Sequence, residues 1–275
     1  MSCSSVNMLL GPLIVLLVMG AAAPAVSQNA DPSVGATRIR PLRVLFVGDS
    51  IVQGVGDTLN LGGAVGRLAT LLPEVEVASI CEAGATSAQV LKIVQQAFLA
   101  PSCSLAKEAA TAADLVIVMA GTNDHWEGMS PQSSLSSLRH LVSFLRDWYL
   151  WHEHSTPNIV IANLLFTQDP YHRRFVGNFN RILVSGAMQG MIAGPRFGQM
   201  QPVDFSADGL HPSASGYGKL ALAMADYIMS IAINQVARLP LSASLVTSHP
   251  WCLVQHPRIV FQLPARKSGR QKAHV

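Results

Sequence analysis

Three polar side chains have the types and the order needed for a serine nucleophile and its activating base. Ser50 follows the pair Gly48-Asp49, and Asp208 and His211 lie three residues apart much later in the chain. A serine hydroxyl is a weak nucleophile unless a neighbouring base takes its proton. Histidine is the base suited to neutral pH, and a carboxylate on its far nitrogen fixes its tautomer and orientation. We therefore predict attack by Ser50 on a carbonyl carbon, with His211 as base and Asp208 as its partner.

Acyl transfer from an ester also needs hydrogen-bond donors for the oxyanion of the tetrahedral intermediate. Removing one such donor from an enzyme costs about 2.7–4 kcal/mol of transition-state stabilisation. Three groups are candidates for this oxyanion hole: the Ser50 amide, the Gly84 amide and the Asn123 side-chain amide. Trp126 follows Asn123 by three residues on a predicted loop and is a candidate substrate contact.

Short apolar segments alternate with segments of helical spacing, and this alternation predicts the elements that position those residues. Strands are expected at residues 43–47, 75–80, 115–120, 159–164 and 200–205, and helices at 61–72, 87–99, 133–152, 175–192 and 214–233. Such alternation is typical of βαβ units and of one parallel sheet covered on both faces. We predict an α/β protein with three α/β/α layers and a five-stranded parallel sheet.

The candidate residues all follow predicted strands. Ser50, Gly84 and Asn123 come after the first three strands, and the Asp208–His211 pair comes after the fifth. Ligands of open α/β sheets bind beyond the carboxyl ends of the strands. We therefore expect these residues to converge on one rim of the sheet.

Four segments resemble, in order, sequence blocks of the SGNH (GDSL-type) hydrolase family: GDSIVQG (48–54), EAGATS (82–87), GTND (121–124) and DGLHP (208–212). The resemblance covers roughly residues 42–233. It implies a flavodoxin-like α/β/α fold in which the serine, glycine, asparagine and histidine of the family name are Ser50, Gly84, Asn123 and His211, with Asp208 completing the triad. The sequence departs from the family pattern at Ser87, where the second block usually has a glycine, and at Val52, where threonine is common.

Within the family, the chain is similar to secreted acetylxylan-esterase-like members in three of these blocks and in Asn178-Phe179-Asn180. The resemblance implies an esterase that needs no cofactor or metal and removes a short acyl group, most simply acetyl, from a carbohydrate. Hydrolysis of a lipid or a thioester is the alternative activity. A catalytically silent binding protein on the same fold is the alternative class, and the intact Ser50, Asp208 and His211 argue against it.

Other polar and aromatic residues are interpreted as structural. Asp49 and Asp124 are expected to be turn carboxylates that bond local amides, and Asp204 is the second choice for the acid of the triad. The remaining histidines (His125, His140, His152, His154 and His172) are expected at the surface, and no HExxH spacing indicates a zinc protease. Trp148 and Trp151 have helical spacing typical of core or interface residues.

The amino-terminal segment has the pattern of a secretory signal. The apolar run Met8–Met19 is followed by small residues that include Ala21-Ala22-Ala23 and Ala25-Val26-Ser27. We expect a cleaved signal peptide over residues 1–27, with an uncleaved membrane anchor as the alternative. The body would then be secreted or extracytoplasmic.

Charge and cysteine content limit the remaining possibilities. Six of the 19 basic residues lie beyond residue 237, where there is no acidic residue, so the rest of the chain is mildly acidic and does not resemble a nucleic-acid-binding domain. We expect one hydrolase domain over residues 40–235 and a basic, flexible tail over 239–275. Cys81 and Cys103 are either bridged across one helix or two buried thiols.

Overall fold

Four parallel strands form the centre of the fold in the computed structural model, which describes residues 41–99, 113–153, 155–186, 191–198 and 200–236. The strands are β1 (Leu42–Gly48), β2 (Val75–Cys81), β3 (Leu115–Met119) and β4 (Asn158–Ile161), in the sheet order β2-β1-β3-β4. The chain runs from β1 to one side of the sheet and then crosses to the other side for β3. The switch point between β1 and β3 opens the crevice in which ligands of such sheets bind.

Helices cover both faces of this sheet, as the sequence predicts. They are α1 (Ser50–Gln53), α2 (Gly63–Leu71), α3 (Ser87–Leu99), α4 (Pro131–Glu153), α5 (Pro170–Val184) and α6 (Ala214–Val236), with 3-10 helices at Thr122–His125 and Pro202–Asp204. Leu45 and Val47 of β1 pack in a core with α3, α4 and α5, whereas Val44 and Phe46 pack in a second core with α1, α2 and α6. The alternation follows from the opposite directions of successive side chains on a strand, and it confirms the three-layer α/β prediction.

The predicted fifth strand at residues 200–205 is wrong. Pro202 begins a 3-10 helix there, and the backbone amide of Gln201 donates to the Asp204 carboxylate at 2.8 Å. Proline has no N–H to donate to a neighbouring strand. The Gln201 amide, which a strand would pair with its neighbour, is instead bonded to the Asp204 carboxylate. Among the described residues, the edge beyond β4 carries a parallel bridge between Ile161 and Ala193.

The fifth helix also differs from its predicted limits of 175–192. The Asp169 side chain accepts hydrogen bonds from the amides of Tyr171 (2.8 Å) and His172 (3.4 Å), and Pro170 occupies the first helical position. Side-chain capping and an N-terminal proline are strong helix starts. The helix therefore begins five residues earlier than the apolar spacing alone indicates.

Several sequence predictions lie outside the described residues. They are the signal segment 1–27, the tail 239–275, His154 and Cys103. Cys81 is buried at the end of β2, and its pairing with Cys103 stays a prediction. Within the described ranges, no helix combines the length and the apolar character needed to cross a bilayer.

Candidate active site

The turn after β1 holds Ser50 at the mouth of the crevice. A Cβ on Gly48 would lie 2.1 Å from the backbone oxygen of Met119, so only glycine permits this approach of β1 to β3. Asp49 then caps α1 by accepting a hydrogen bond from the Ile51 amide at 3.0 Å. Ser50 is the first residue of that helix and is only 3% exposed.

A continuous hydrogen-bond chain joins Ser50 to the Asp208–His211 segment. The Nε2 atom of His211 lies 2.9 Å from Ser50 Oγ, and its Nδ1 atom lies 2.6 Å from Asp208 Oδ2. With Nδ1–H donating to the carboxylate, the Nε2 lone pair faces the serine hydroxyl. The structure thus brings together three groups separated by as many as 161 positions in the chain.

A tight turn between Asp208 and His211 fixes the carboxylate. Asp208 Oδ1 accepts hydrogen bonds from the amides of Leu210 and His211, both at 2.9 Å, and from Ser206 Oγ at 2.7 Å. Gly209 has a φ of 66°, a left-handed conformation that suits glycine. Partial burial raises the pKa of Asp208, but the bonds from His211, Leu210 and Ser206 outweigh it and hold that pKa well below its usual range. The carboxylate is therefore ionised and aimed at His211.

The candidate oxyanion donors lie at the same carboxyl edge of the sheet. Gly84 is exposed in the turn after β2, and among the described residues its amide has no hydrogen-bond acceptor. The Ser50 amide, at a helix N-terminus, likewise has none there. Asn123 Nδ2 donates to the Ala85 carbonyl at 3.0 Å, which uses one of its two hydrogens. Each group can still donate to a ligand.

A buried contact ties the turns after β2 and β3 to each other. The carboxylate of Asp124 accepts from the Ser87 amide at 2.7 Å and from the Ser87 hydroxyl at 2.6 Å. Both residues are fully buried. Asp124 was predicted to bond local amides, but it instead bonds the start of α3, 37 positions away. The serine that departs from the family pattern at position 87 supplies both donors, and its hydroxyl is the one that a glycine would lack.

Asp204, the second choice for the triad acid, is engaged elsewhere. It is fully buried, its Oδ2 lies 2.6 Å from Lys219 Nζ, and its Oδ1 accepts from Ser215 Oγ at 3.1 Å. Burial raises the pKa of Asp204, but these partners outweigh it and lower that pKa. Asp204 therefore connects the 3-10 helix to the first turns of α6, and of the two candidate carboxylates it is Asp208 that contacts His211.

The loop after α1 packs against the back of His211, a support that the sequence analysis missed. Gly56 has a φ of 90°, and a Cβ there would lie 2.9 Å from the Cβ of His211. Tyr217 of α6 donates to the Val55 carbonyl at 2.7 Å. Asp57 accepts from Arg67 Nη2 at 2.9 Å and from the Gly63 amide at 3.0 Å. The spacing Gly54, Gly56 and Asp57 after the serine was the available signal.

Trp126 and His172 form a stacked pair beside the Asn123 turn. Trp126 is 49% exposed, and its ring lies 4.6 Å from the ring of His172 at an interplanar angle of 12°. The prediction that His172 lies at the surface is wrong, because His172 is fully buried. Of the two tryptophans on α4, Trp148 is buried, as predicted, whereas Trp151 is 81% exposed.

Asp49 is an ionisable group enclosed directly beside the candidate nucleophile. It is fully buried, and its Oδ2 atom accepts no hydrogen bond of good geometry within the described residues. Burial raises the pKa of Asp49 to about 6, although the Ile51 amide and the nearby Thr122 favour its charged form. The residue is structural, as predicted, but costly to keep ionised.

Metal ligation has no support in the described part of the chain. No group of three or more His, Cys, Asp or Glu side chains there is arranged to hold a metal ion. The chemistry that this site can perform with its own groups is attack by an activated serine on a carbonyl carbon.

Comparison with known proteins gives the fold and the family pattern. Residues 46–219 match the GDSL-like Lipase/Acylhydrolase family. The structure resembles the native aryl esterase of M. smegmatis (TM-score 0.54, 19% identity, 69% of this chain and 99% of that one). It also resembles the lipase Lip_vut3 from a goat rumen metagenome (0.53, 19%, 69% and 96%) and TesA (0.52, 21%, 69% and 99%). At these identities the structural likenesses show the fold. No curated protein matches the sequence.

Proposed function

The chain belongs to the GDSL-like lipase/acylhydrolase family and is an ester-hydrolysing enzyme, and from this premise we propose that Ser50, His211 and Asp208 cleave an oxygen ester through an acyl-enzyme. The hydrogen-bond chain from Ser50 through His211 to Asp208 is the observation that carries the proposal. In acylation, Ser50 Oγ attacks the ester carbonyl carbon while its proton passes to His211 Nε2. The resulting imidazolium is stabilised by the ionised Asp208.

Collapse of the tetrahedral intermediate expels the alcohol. The bond between the carbonyl carbon and the leaving oxygen breaks, and His211 returns the proton to that oxygen. A water molecule then attacks the acyl-enzyme with His211 again as base, which releases the acid and restores Ser50. The free donors at Ser50, Gly84 and Asn123 support an oxyanion hole for both intermediates.

We propose a carbohydrate bearing a short acyl group, most simply acetyl, as the substrate. Ser50 is only 3% exposed, which favours a small acyl group beside it. The half-exposed ring of Trp126 is held by stacking on His172, and an indole held in this way suits the flat face of a sugar or an aromatic alcohol. Both features are consistent with a small acid and a larger, ring-containing leaving group.

A lipid or thioester substrate is the second candidate. Leu59 and Leu61 are more than half exposed on the loop that supports His211, and Phe166 is 41% exposed on the segment after β4. Exposed apolar side chains near a site favour an apolar ligand. An acyl chain lying across them would make the rate rise with chain length.

The substrate proposal is tested with purified protein on acyl esters of increasing chain length, with the same alcohol throughout. We expect the highest kcat/KM for acetyl and propionyl esters and a steady fall for longer chains. A steady rise to long acyl chains would overturn the short-acyl proposal and favour the lipid alternative.

The catalytic assignment is tested separately with a fluorophosphonate probe that reacts with activated serines. The wild-type chain should be labelled at Ser50, whereas Ser50→Ala and His211→Ala should be neither labelled nor active. Asp208→Ala should retain slow turnover, because a misoriented histidine can still act as a base. An unlabelled wild type would favour a silent binding protein.

We also propose that the enzyme is exported, which rests on the apolar run and small residues of segment 1–27. Contact with a membrane would then occur only through that segment if it stays uncleaved. The mildly acidic body gives no reason to expect a nucleic-acid partner.

A further inference from the structure

We propose that His172, as the neutral Nε2–H tautomer, is a positioning residue that holds the Thr122–Asn123 peptide and thereby aims the Asn123 amide at the oxyanion. The inference rests on the proposed esterase function and deepens it. His172 lies on α5, which supplies none of the catalytic residues named above. Its side chain nevertheless reaches the turn after β3, from which Asn123 projects.

Both ring nitrogens of His172 have a partner. Nε2 lies 3.1 Å from the Thr122 carbonyl oxygen, and Nδ1 lies 3.0 Å from Thr167 Oγ1. A carbonyl oxygen only accepts hydrogen bonds, so Nε2 must carry the proton. Nδ1 is then an acceptor, and the Thr167 hydroxyl donates to it. The two contacts together select one tautomer.

The surroundings keep this imidazole uncharged and immobile. His172 is fully buried, and its ring stacks with those of Trp126 (4.6 Å, 12°) and Phe175 (6.2 Å, 28°). Burial lowers the pKa of His172, and together with the neighbouring His125 it outweighs the bond to the Thr122 carbonyl and the charge of Asp169, which raise that pKa. An apolar side chain would fill such a space without needing two polar partners. The polar ring is therefore best explained by the carbonyl that it holds.

That carbonyl belongs to the peptide group that leads into Asn123. Thr122 is buried and also neighbours the Asp49 carboxyl of the nucleophile turn. On its other side, Asn123 is anchored by its bond to the Ala85 carbonyl. Without the His172 bond, the peptide before Asn123 would lose an anchor that adds to those of the 3-10 helix Thr122–His125, and an oxyanion donor that is misaligned loses much of its effect.

The test compares two variants that separate the donor from the ring. His172→Phe keeps an aromatic ring beneath Trp126 but removes the donor to Thr122. His172→Gln removes the ring but retains an amide N–H of similar reach. His152→Phe is the matched control, because His152 also stacks on a tryptophan, Trp148 (4.4 Å, 16°). His152 lies at the C-terminal end of α4, just before β4 begins, and so at the edge of the sheet opposite the active site.

We expect His172→Phe to lower kcat by about ten-fold, a part of the 10²–10³ that a whole oxyanion donor supplies, with KM changed less than two-fold. His172→Gln should restore kcat to within about three-fold of wild type, and His152→Phe should not change it. All rates are expressed per active site titrated with the fluorophosphonate probe, so partial unfolding does not enter. Equal kcat losses in the Phe and Gln variants, or no loss in either, would overturn the proposal.

A second measurement does not depend on activity or on variants that fold poorly. Two-bond ¹⁵N–¹H correlation spectra of ¹⁵N-histidine-labelled protein distinguish the two neutral tautomers of each ring. The His172 signal should have the Nε2–H pattern and should retain it in Thr167→Ser and also in Thr167→Val, because the Thr122 carbonyl still requires the proton on Nε2. An Nδ1–H or imidazolium signal in the wild type at neutral pH would overturn the proposal, whereas an inactive but Nε2–H protein would contradict only the esterase function.

Discussion

At the scale of single residues, Asn123 differs from its neighbours because it is proposed to act only on the transition state. It transfers no proton, and its amide retains a free hydrogen beside the one that bonds Ala85. The bond to the oxyanion strengthens as negative charge develops on the carbonyl oxygen.

Asn123→Ala is therefore expected to lower kcat by about 10²–10³ with little change in KM, the pattern of an interaction made mainly in the transition state. Steady-state kinetics and a thermal unfolding curve check this together. The variant should melt near the wild-type temperature. Parental rates in a folded variant would show that Asn123 is no oxyanion donor, and loss of the fold would show that it is structural.

Asp49 provides a second residue-scale prediction, in stability rather than in rate. Burial raises its pKa from 3.8 to about 6 in the folded protein. Between those two values the folded state binds more protons than the unfolded state, so the free energy of unfolding falls as pH rises through that window. The difference of about two units corresponds to roughly 3 kcal/mol.

Asp49→Asn cannot ionise and still offers an oxygen to the Ile51 amide. Relative to wild type, its free energy of unfolding should therefore increase by about 3 kcal/mol between pH 4 and pH 7. Urea unfolding at several pH values measures this. Parallel pH profiles for the two proteins would show that Asp49 is not the titrating group.

At the scale of elements, the active rim depends on contacts between turns that follow different strands. The Asp124 carboxylate joins the turn after β3 to the start of α3, and Ser87 provides both donors. Because Gly84 and Asn123 belong to the two joined turns, this contact sets the distance between two candidate oxyanion donors.

Ser87→Ala removes one of the two hydrogen bonds and leaves a buried carboxylate oxygen without a donor. We expect it to lower the free energy of unfolding by about 1–3 kcal/mol and to reduce kcat. Ser134→Ala is the control: Ser134 is equally buried, but its hydroxyl donates to the Ser130 carbonyl, which its own amide also bonds. Chemical denaturation should show a clearly smaller loss for the control, and equal losses would refute the role given to Asp124.

At the scale of the whole molecule, we propose an exported enzyme whose active site is formed by four turns at one edge of the sheet. The export proposal makes one direct prediction, since a signal peptide is removed near its small residues. The exported protein should begin between about Ala22 and Asn29, as read by N-terminal sequencing. A mature chain that begins at Met1 would exclude cleavage and favour the membrane anchor.

Local patterns in the sequence determined much of this protein. Apolar runs and helical spacing indicated β1 to β4, the helices and the three layers, because burial on a sheet face imposes those periods. Four short motifs led to the candidate residues. Three of them follow the carboxyl end of a strand, and the fourth forms the turn before α6. The offset of three residues between Asp208 and His211 was enough to predict their contact, because one tight turn spans it.

Only the tertiary structure decided the contacts between residues far apart in the chain. The sequence does not reveal that Asp204 is neutralised by Lys219 while Asp208 is left for His211, or that Pro202 and Asp204 replace a fifth strand with a 3-10 helix. It also does not reveal that His172 is buried and bonds the Thr122 carbonyl. A side chain's partner depends on where the packed helices and sheet bring distant backbone groups, and a buried polar group takes whichever partner satisfies its hydrogen bonds.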